Sequence, residues 1–162
     1  MTDKDWEVLG KYIRARADEL GLSDWHIVLK AEPPEDNEAA AEIHPVEGRK
    51  WVNMRVAKDF RELRPEEQRY AIIHELIHCH FQSAVDIIRL DLFEERLLAH
   101  DTYAAIYASF RRQMEYGVDG LAVAIGCSFP LIEWNTAGEG LDKPGGSRWD
   151  VYVETQVGYD EL

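Results

Sequence analysis

The chain has 162 residues with 46% hydrophobic content, enough for one ordinary globular domain with a core of its own. Two cysteines are too few for a cystine framework, and five Trp with seven Tyr argue against global disorder. The formal charge of −13 opposes any non-specific grip on nucleic acid or on an anionic membrane surface.

Read from the start, Asp5 to Leu20 places Trp6, Leu9, Ile13, Ala17 and Leu20 at steps of three and four, which predicts an amphipathic helix stopped by Gly21. Trp25 to Lys30 is β-branched and reads as a strand, followed by a loop at Pro33-Pro34-Glu35-Asp36-Asn37. Ala39–Ile43 and Lys50–Val56 predict two more strands joined by a hairpin at Glu47-Gly48-Arg49. In the second of them Val52, Met54 and Val56 form the apolar face. Pro65-Glu66-Glu67 opens a helix expected to run to about Gln82, because proline suits the first helical position and carboxylates suit the positive end of the dipole.

From Leu92 onward a long helical pattern runs through Phe93, Leu97, His100, Ala104, Tyr107, Phe110 (or Arg111), Met114, Val118, Leu121 and Ile125. Gly117, Gly120 and Gly126 weaken its later half and suggest a break near Gly117. Residues 1–131 are therefore expected to form the working domain. Residues 132–162 form an acidic, glycine-containing tail packed on the same domain, with a last strand inside Arg148–Val157. No secretory leader and no apolar run of spanning length is visible, so the expected location is cytoplasmic with reduced thiols.

One motif carries chemistry: His74-Glu75-Leu76-Ile77-His78. Histidines four residues apart on a helix lie one turn apart on one face, so both imidazoles can reach a single ion. The glutamate between them is placed to take a proton from a water on that ion. Apolar neighbours (Ala71, Ile72, Ile73, Leu76, Ile77, Phe81) make a polar set here costly unless it is paired or binds metal. Zinc is the metal expected, and a catalytic zinc site needs a third protein ligand with an open fourth position. Downstream candidates are Glu94, Glu95, His100, Asp101, Glu115 and Asp119. Glu115 and Asp119 share a helix face, which lets Glu115 ligate while Asp119 accepts the second N–H of a ligating histidine; His100 is the chief rival. Cys79, His26 and His44 read as structural. Tyr103, Tyr107, Tyr116 and His80 are the candidates for an oxyanion-stabilising group.

These two segments, HELIH and the later Glu115-Tyr116-Gly117-Val118-Asp119, resemble the paired helices of zincin metallopeptidases of the gluzincin type, HExxH followed by ExxxD. The run from Arg49 to Phe81 is also similar to small phage and bacterial metallopeptidases described as minimal zincins. The resemblance implies zinc held by His74, His78 and Glu115, with Glu75 as general base and Asp119 behind a ligand. It implies an α+β fold, a small sheet packed on the motif helix and on a long second helix. It further implies a peptide or protein substrate that adds to the edge of strand Lys50–Val56. A zincin-fold protein without peptidase activity, serving a phage or mobile element in a structural or interaction role, is the alternative. An acidic mimic of nucleic acid ranks third, because seven basic residues between Glu35 and Tyr70 interrupt the acidic surface. Oligomeric state has no signature in the sequence.

Overall fold

A computed structural model describes residues 1–89, 99–134 and the backbone of 152–154. Helix α1 (Asp3–Glu19) begins two residues earlier than its apolar pattern predicts because Thr2 and Asp5 cap it reciprocally. The Thr2 hydroxyl accepts from Asp5 N at 3.3 Å while Asp5 Oδ2 accepts from Thr2 N at 2.7 Å. At the other end Gly21 takes φ 75°, and Leu22 N donates to Ala17 O while Gly21 N donates to Asp18 O. Only glycine takes that left-handed position without strain, so the predicted stop is a Schellman turn.

The sheet has the strand order β2-β3-β1-β4. Strand β1 (His26–Lys30) lies parallel to β3 (Trp51–Val56), and β2 (Ala41–Pro45) lies antiparallel to β3. Strand β4 (Tyr152–Glu154) adds parallel to β1, so part of the predicted last strand docks; the rest of Arg148–Val157 lies outside the described residues. Strand β2 is displaced two residues from the predicted Ala39–Ile43. The expectation that Lys50–Val56 is an edge strand is overturned: β3 is paired on both sides, and among the described residues β2 forms that border of the sheet. A hydrophobic strand with alternating burial reads the same at an edge or at the centre, so pairing order was not written in it.

Ile27 and Leu29 of β1 and Val52, Met54 and Val56 of β3 are buried with Leu9, Ile13 and Ala17 of α1. Helix α2 (Pro65–Asp86) gives Ile72, Leu76 and Cys79 to this core and turns Ile73 and Ile77 to a second one. That second core is closed by Met114, Val118 and Ala122 of α3 (His100–Gly126). Helix α3 runs unbroken past Gly117 and Gly120, since packing of that stripe outweighs a cost of ~1 kcal/mol per glycine. Residues 90–98, where the helical pattern was expected to begin, include Glu94 and Glu95 and lie outside the described residues. The segment after α3 is pinned by Tyr12 Oη on Pro130 O at 2.8 Å and by Arg69 Nη1 on Phe129 O at 3.0 Å. Ile132 enters the main core. The molecule is α+β, and among the described residues no helix is long and apolar enough to cross a membrane.

Candidate metal centre

Helix α2 is buried on two apolar faces, and between them runs a polar stripe at four-residue spacing, Tyr70, His74 and His78. Helix α3 carries a matching stripe, Arg111, Glu115 and Asp119, one position beyond the buried Met114 and Val118. The pairing order is antiparallel. Tyr70 meets Asp119, His74 meets Asp119 and Glu115, and His78 meets Glu115.

His74 Nε2 and His78 Nε2 are 3.0 Å apart, and Glu115 Oε2 lies 3.7 Å and 3.3 Å from them. These three atoms form a set that could hold a metal ion. Ligand atoms at ~2.0–2.2 Å from a tetrahedral ion stand about 3.3–3.6 Å from one another, and the edges of the donor triangle are within a few tenths of an ångström of that. The chemistry of the set fits as well, with two imidazole nitrogens and one carboxylate oxygen on half-buried side chains.

The second ring nitrogen of each imidazole decides whether Nε2 is a donor or a lone pair. His74 Nδ1 is buried and 3.0 Å from Asp119 Oδ1, close enough to pair though not aligned as a hydrogen bond. A proton on Nδ1 leaves the Nε2 lone pair facing His78 and Glu115. Asp119 Oδ1 also accepts the Tyr70 hydroxyl at 2.7 Å. Burial and this bond to Asp119 push the Tyr70 phenol up to about 12, so it is a neutral donor. Burial pushes the His78 imidazole below its ordinary value, against the pull of Glu115, which keeps its lone pair free at neutral pH.

Glu75 does not belong to the donor triangle. Its Oε1 is 3.9 Å from His74 Nε2, and its Oε2 accepts the backbone N–H of Ile43 at 3.1 Å. That N–H points outward from the sheet. The bonds from Val46 N to Trp51 O and from Ala57 N to Ala40 O put the even-numbered residues of β2 in the hydrogen-bonded pairs with β3, which turns Ile43 to the free border. Burial above all, with Glu115 and Glu42 nearby, raises the Glu75 carboxyl to about 8, against the Ile43 N–H and Arg111. A divalent cation held by the triangle would reverse the sign of that local field.

The structure thus brings His74, Glu75, His78, Glu115 and Asp119 together. The rival His100 sits at the far end of α3, roughly 20 Å along the helix from Glu115, exposed and 3.5 Å from Asp101. His26 packs edge-on against Trp51 and His44 lies 3.1 Å from Glu42, both on the sheet and outside the donor set. Cys79 is a buried core residue whose thiol burial pushes up to about 12. Tyr103 and Tyr107 stack on one another, and Tyr116 is exposed on α3. Among the described residues, the groups that meet the triangle are Glu75, Asp119 and Arg111. Two participants escaped the sequence reading. Tyr70 was findable, four residues before His74 on the same stripe; Ile43 left no signal, since its role is a backbone N–H delivered by another strand. Compared with protein-family models, curated proteins and solved structures, the chain matches none.

Proposed function

We propose that the chain is a zinc-dependent peptidase built on the zincin plan, with His74, His78 and Glu115 holding the metal. The observation that carries this is the meeting of His74 Nε2, His78 Nε2 and Glu115 Oε2 beside the Glu75 carboxylate. In the chain 36 residues separate His78 from Glu115. Zinc bound there supplies Lewis acidity, polarising a peptide carbonyl and acidifying water.

The chain's own groups do the rest. Glu75 accepts a proton from the attacking water at Oε1, the oxygen nearer the triangle, while Ile43 N–H fixes Oε2. Water oxygen bonds to the carbonyl carbon, the C–N bond breaks, and the proton taken by Glu75 passes to the leaving amine nitrogen. Asp119 holds His74 in the tautomer that offers Nε2. Extended substrate is assigned to the free border of β2 in place of β3, because β2 is the strand that reaches Glu75.

The test is Glu75→Gln on protein purified without an affinity metal, with elemental analysis beside hydrolysis of denatured protein substrates. Zinc at one per chain in both forms, with hydrolysis lowered ~10²–10⁴-fold in the variant, is the expected result. A parent that holds zinc and cleaves no extended substrate makes the chain the non-catalytic zinc-binding alternative. Equal hydrolysis in both forms rejects Glu75 as base.

A further inference from the structure

Asp119 is a poor positioning group on its own. Its side chain is 51% exposed, so its carboxylate is free to turn into water and leave His74 Nδ1. Tyr70 opposes that. Its hydroxyl has one proton, and that proton is committed to Asp119 Oδ1 at 2.7 Å, the same oxygen that faces His74 Nδ1 at 3.0 Å. A carboxylate oxygen can accept two donors, so the Tyr70 bond leaves room for His74 Nδ1 and holds the rotation of the group. Tyr70 and His74 sit one turn apart on α2 with ring centroids 5.8 Å apart, so donor and imidazole share one rigid element. The hydroxyl lies on the Nδ1 side of the His74 ring, whereas the donor triangle is on the Nε2 side. Tyr70 therefore works behind the ligand.

We propose that Tyr70 is a positioning residue for the metal site, locking Asp119 so that His74 presents Nε2 to the ion. This rests on the metal reading of His74, His78 and Glu115 given above. Partners behind metal ligands are worth about 10–100-fold in metal affinity when lost. Tyr70→Phe removes one hydroxyl from a half-buried ring and keeps the packing against α3.

The experiment is zinc affinity by competition with a chromophoric chelator, for the parent, Tyr70→Phe, Asp119→Asn, the double variant and Tyr116→Phe. Tyr116 is the exposed tyrosine of α3 and serves as the matched hydroxyl deletion. The parent binds one zinc, Tyr70→Phe binds about tenfold or more weakly, and Tyr116→Phe binds as the parent does. Because Tyr70 acts through Asp119, the double variant is no weaker than Asp119→Asn alone. A merely structural tyrosine gives a different pattern, with additive losses in the double variant or a loss that follows the zinc-free melting temperature. Either pattern overturns the proposal, and so does parent-like affinity in Tyr70→Phe. A parent that binds no zinc removes the metal reading itself, a result separate from all of these.

Discussion

At the scale of single residues the centre is set by which atom each side chain offers. Glu115 divides its oxygens, Oε2 toward the histidines and Oε1 toward Arg111 Nη2 at 3.4 Å. Glu115→Ala removes the carboxylate donor of the triangle, so metal occupancy should fall sharply while α3, buried along Met114, Val118 and Ala122, keeps its helicity. Elemental analysis with far-ultraviolet circular dichroism checks both halves, and full occupancy would place the third ligand elsewhere. A second prediction concerns Asp5, buried at 4% exposure and bonded to Thr2 N and to Arg61. The Thr2 backbone N–H first, then the Thr2 hydroxyl and Arg61, hold its carboxyl below the ordinary 3.8 against the cost of burial. A depressed folded value contributes stability that is present above the unfolded value and lost as pH falls through the folded one. The stability gap between the parent and Asp5→Asn should thus be constant above about pH 5 and shrink below pH 4. Urea titrations at a series of pH values read it directly.

At the scale of elements, helices α2 and α3 work as a pair because each combines an apolar stripe with a polar stripe beside it. Burial of Ile73, Ile77, Met114, Val118 and Ala122 sets the register, and the register aligns His74 and His78 with Glu115 and Asp119. The start of α2 is anchored by Gln68, fully buried, whose Nε2 donates to the carbonyls of Phe60, Arg61 and Leu63 at 3.0 Å each. Its Oε1 accepts from Trp134 Nε1 at 2.9 Å. These bonds tie the 3₁₀ turn Phe60–Glu62 and the segment after α3 to one side chain. The glycines of α3 tell the opposite story. Gly117 and Gly120 lie on its exposed side, and a Cβ at either meets no atom within 4 Å. Gly120→Ala should stabilise the protein by about 0.5–1 kcal/mol, since alanine loses less backbone freedom on folding. A raised urea midpoint at unchanged slope is the expected reading, with zinc affinity unaltered.

At the scale of the whole molecule, the proposed metal joins two helices that are distant in the chain, so its binding free energy adds to folding. Ligand at 100 times its dissociation constant stabilises by about 2.7 kcal/mol if it binds only the native state. Chelator should lower the melting temperature of the zinc-loaded parent and leave His74→Ala unmoved. Acid acts in the same direction as chelator, because protonated imidazoles release metal. Equal shifts in parent and variant would locate the chelator's action outside this centre.

How much of this was legible in the chain depends on the range of the interactions involved. Local chemistry determined α1 with its Gly21 stop, the start of α2 at Pro65 and the spacing of His74, Glu75 and His78, since each rests on contacts within one or two turns. Periodicity on α3 also placed Glu115 and Asp119 on one face, and that narrowed the third ligand before any tertiary contact was known. Which of Glu115 and His100 lies beside His74 needed the packing of α3 on α2, for both residues sit on the same helix and only register decides which one meets His74. The border strand was also beyond the sequence. The apolar alternation of Lys50–Val56 reports a buried face and says nothing about how many neighbours share its hydrogen bonds. Tertiary structure put β2 at that border and set Ile43 N–H on Glu75, a bond across 32 residues that no side-chain pattern encodes. Short-range physics wrote the donors into the chain, and long-range packing selected which of them meet.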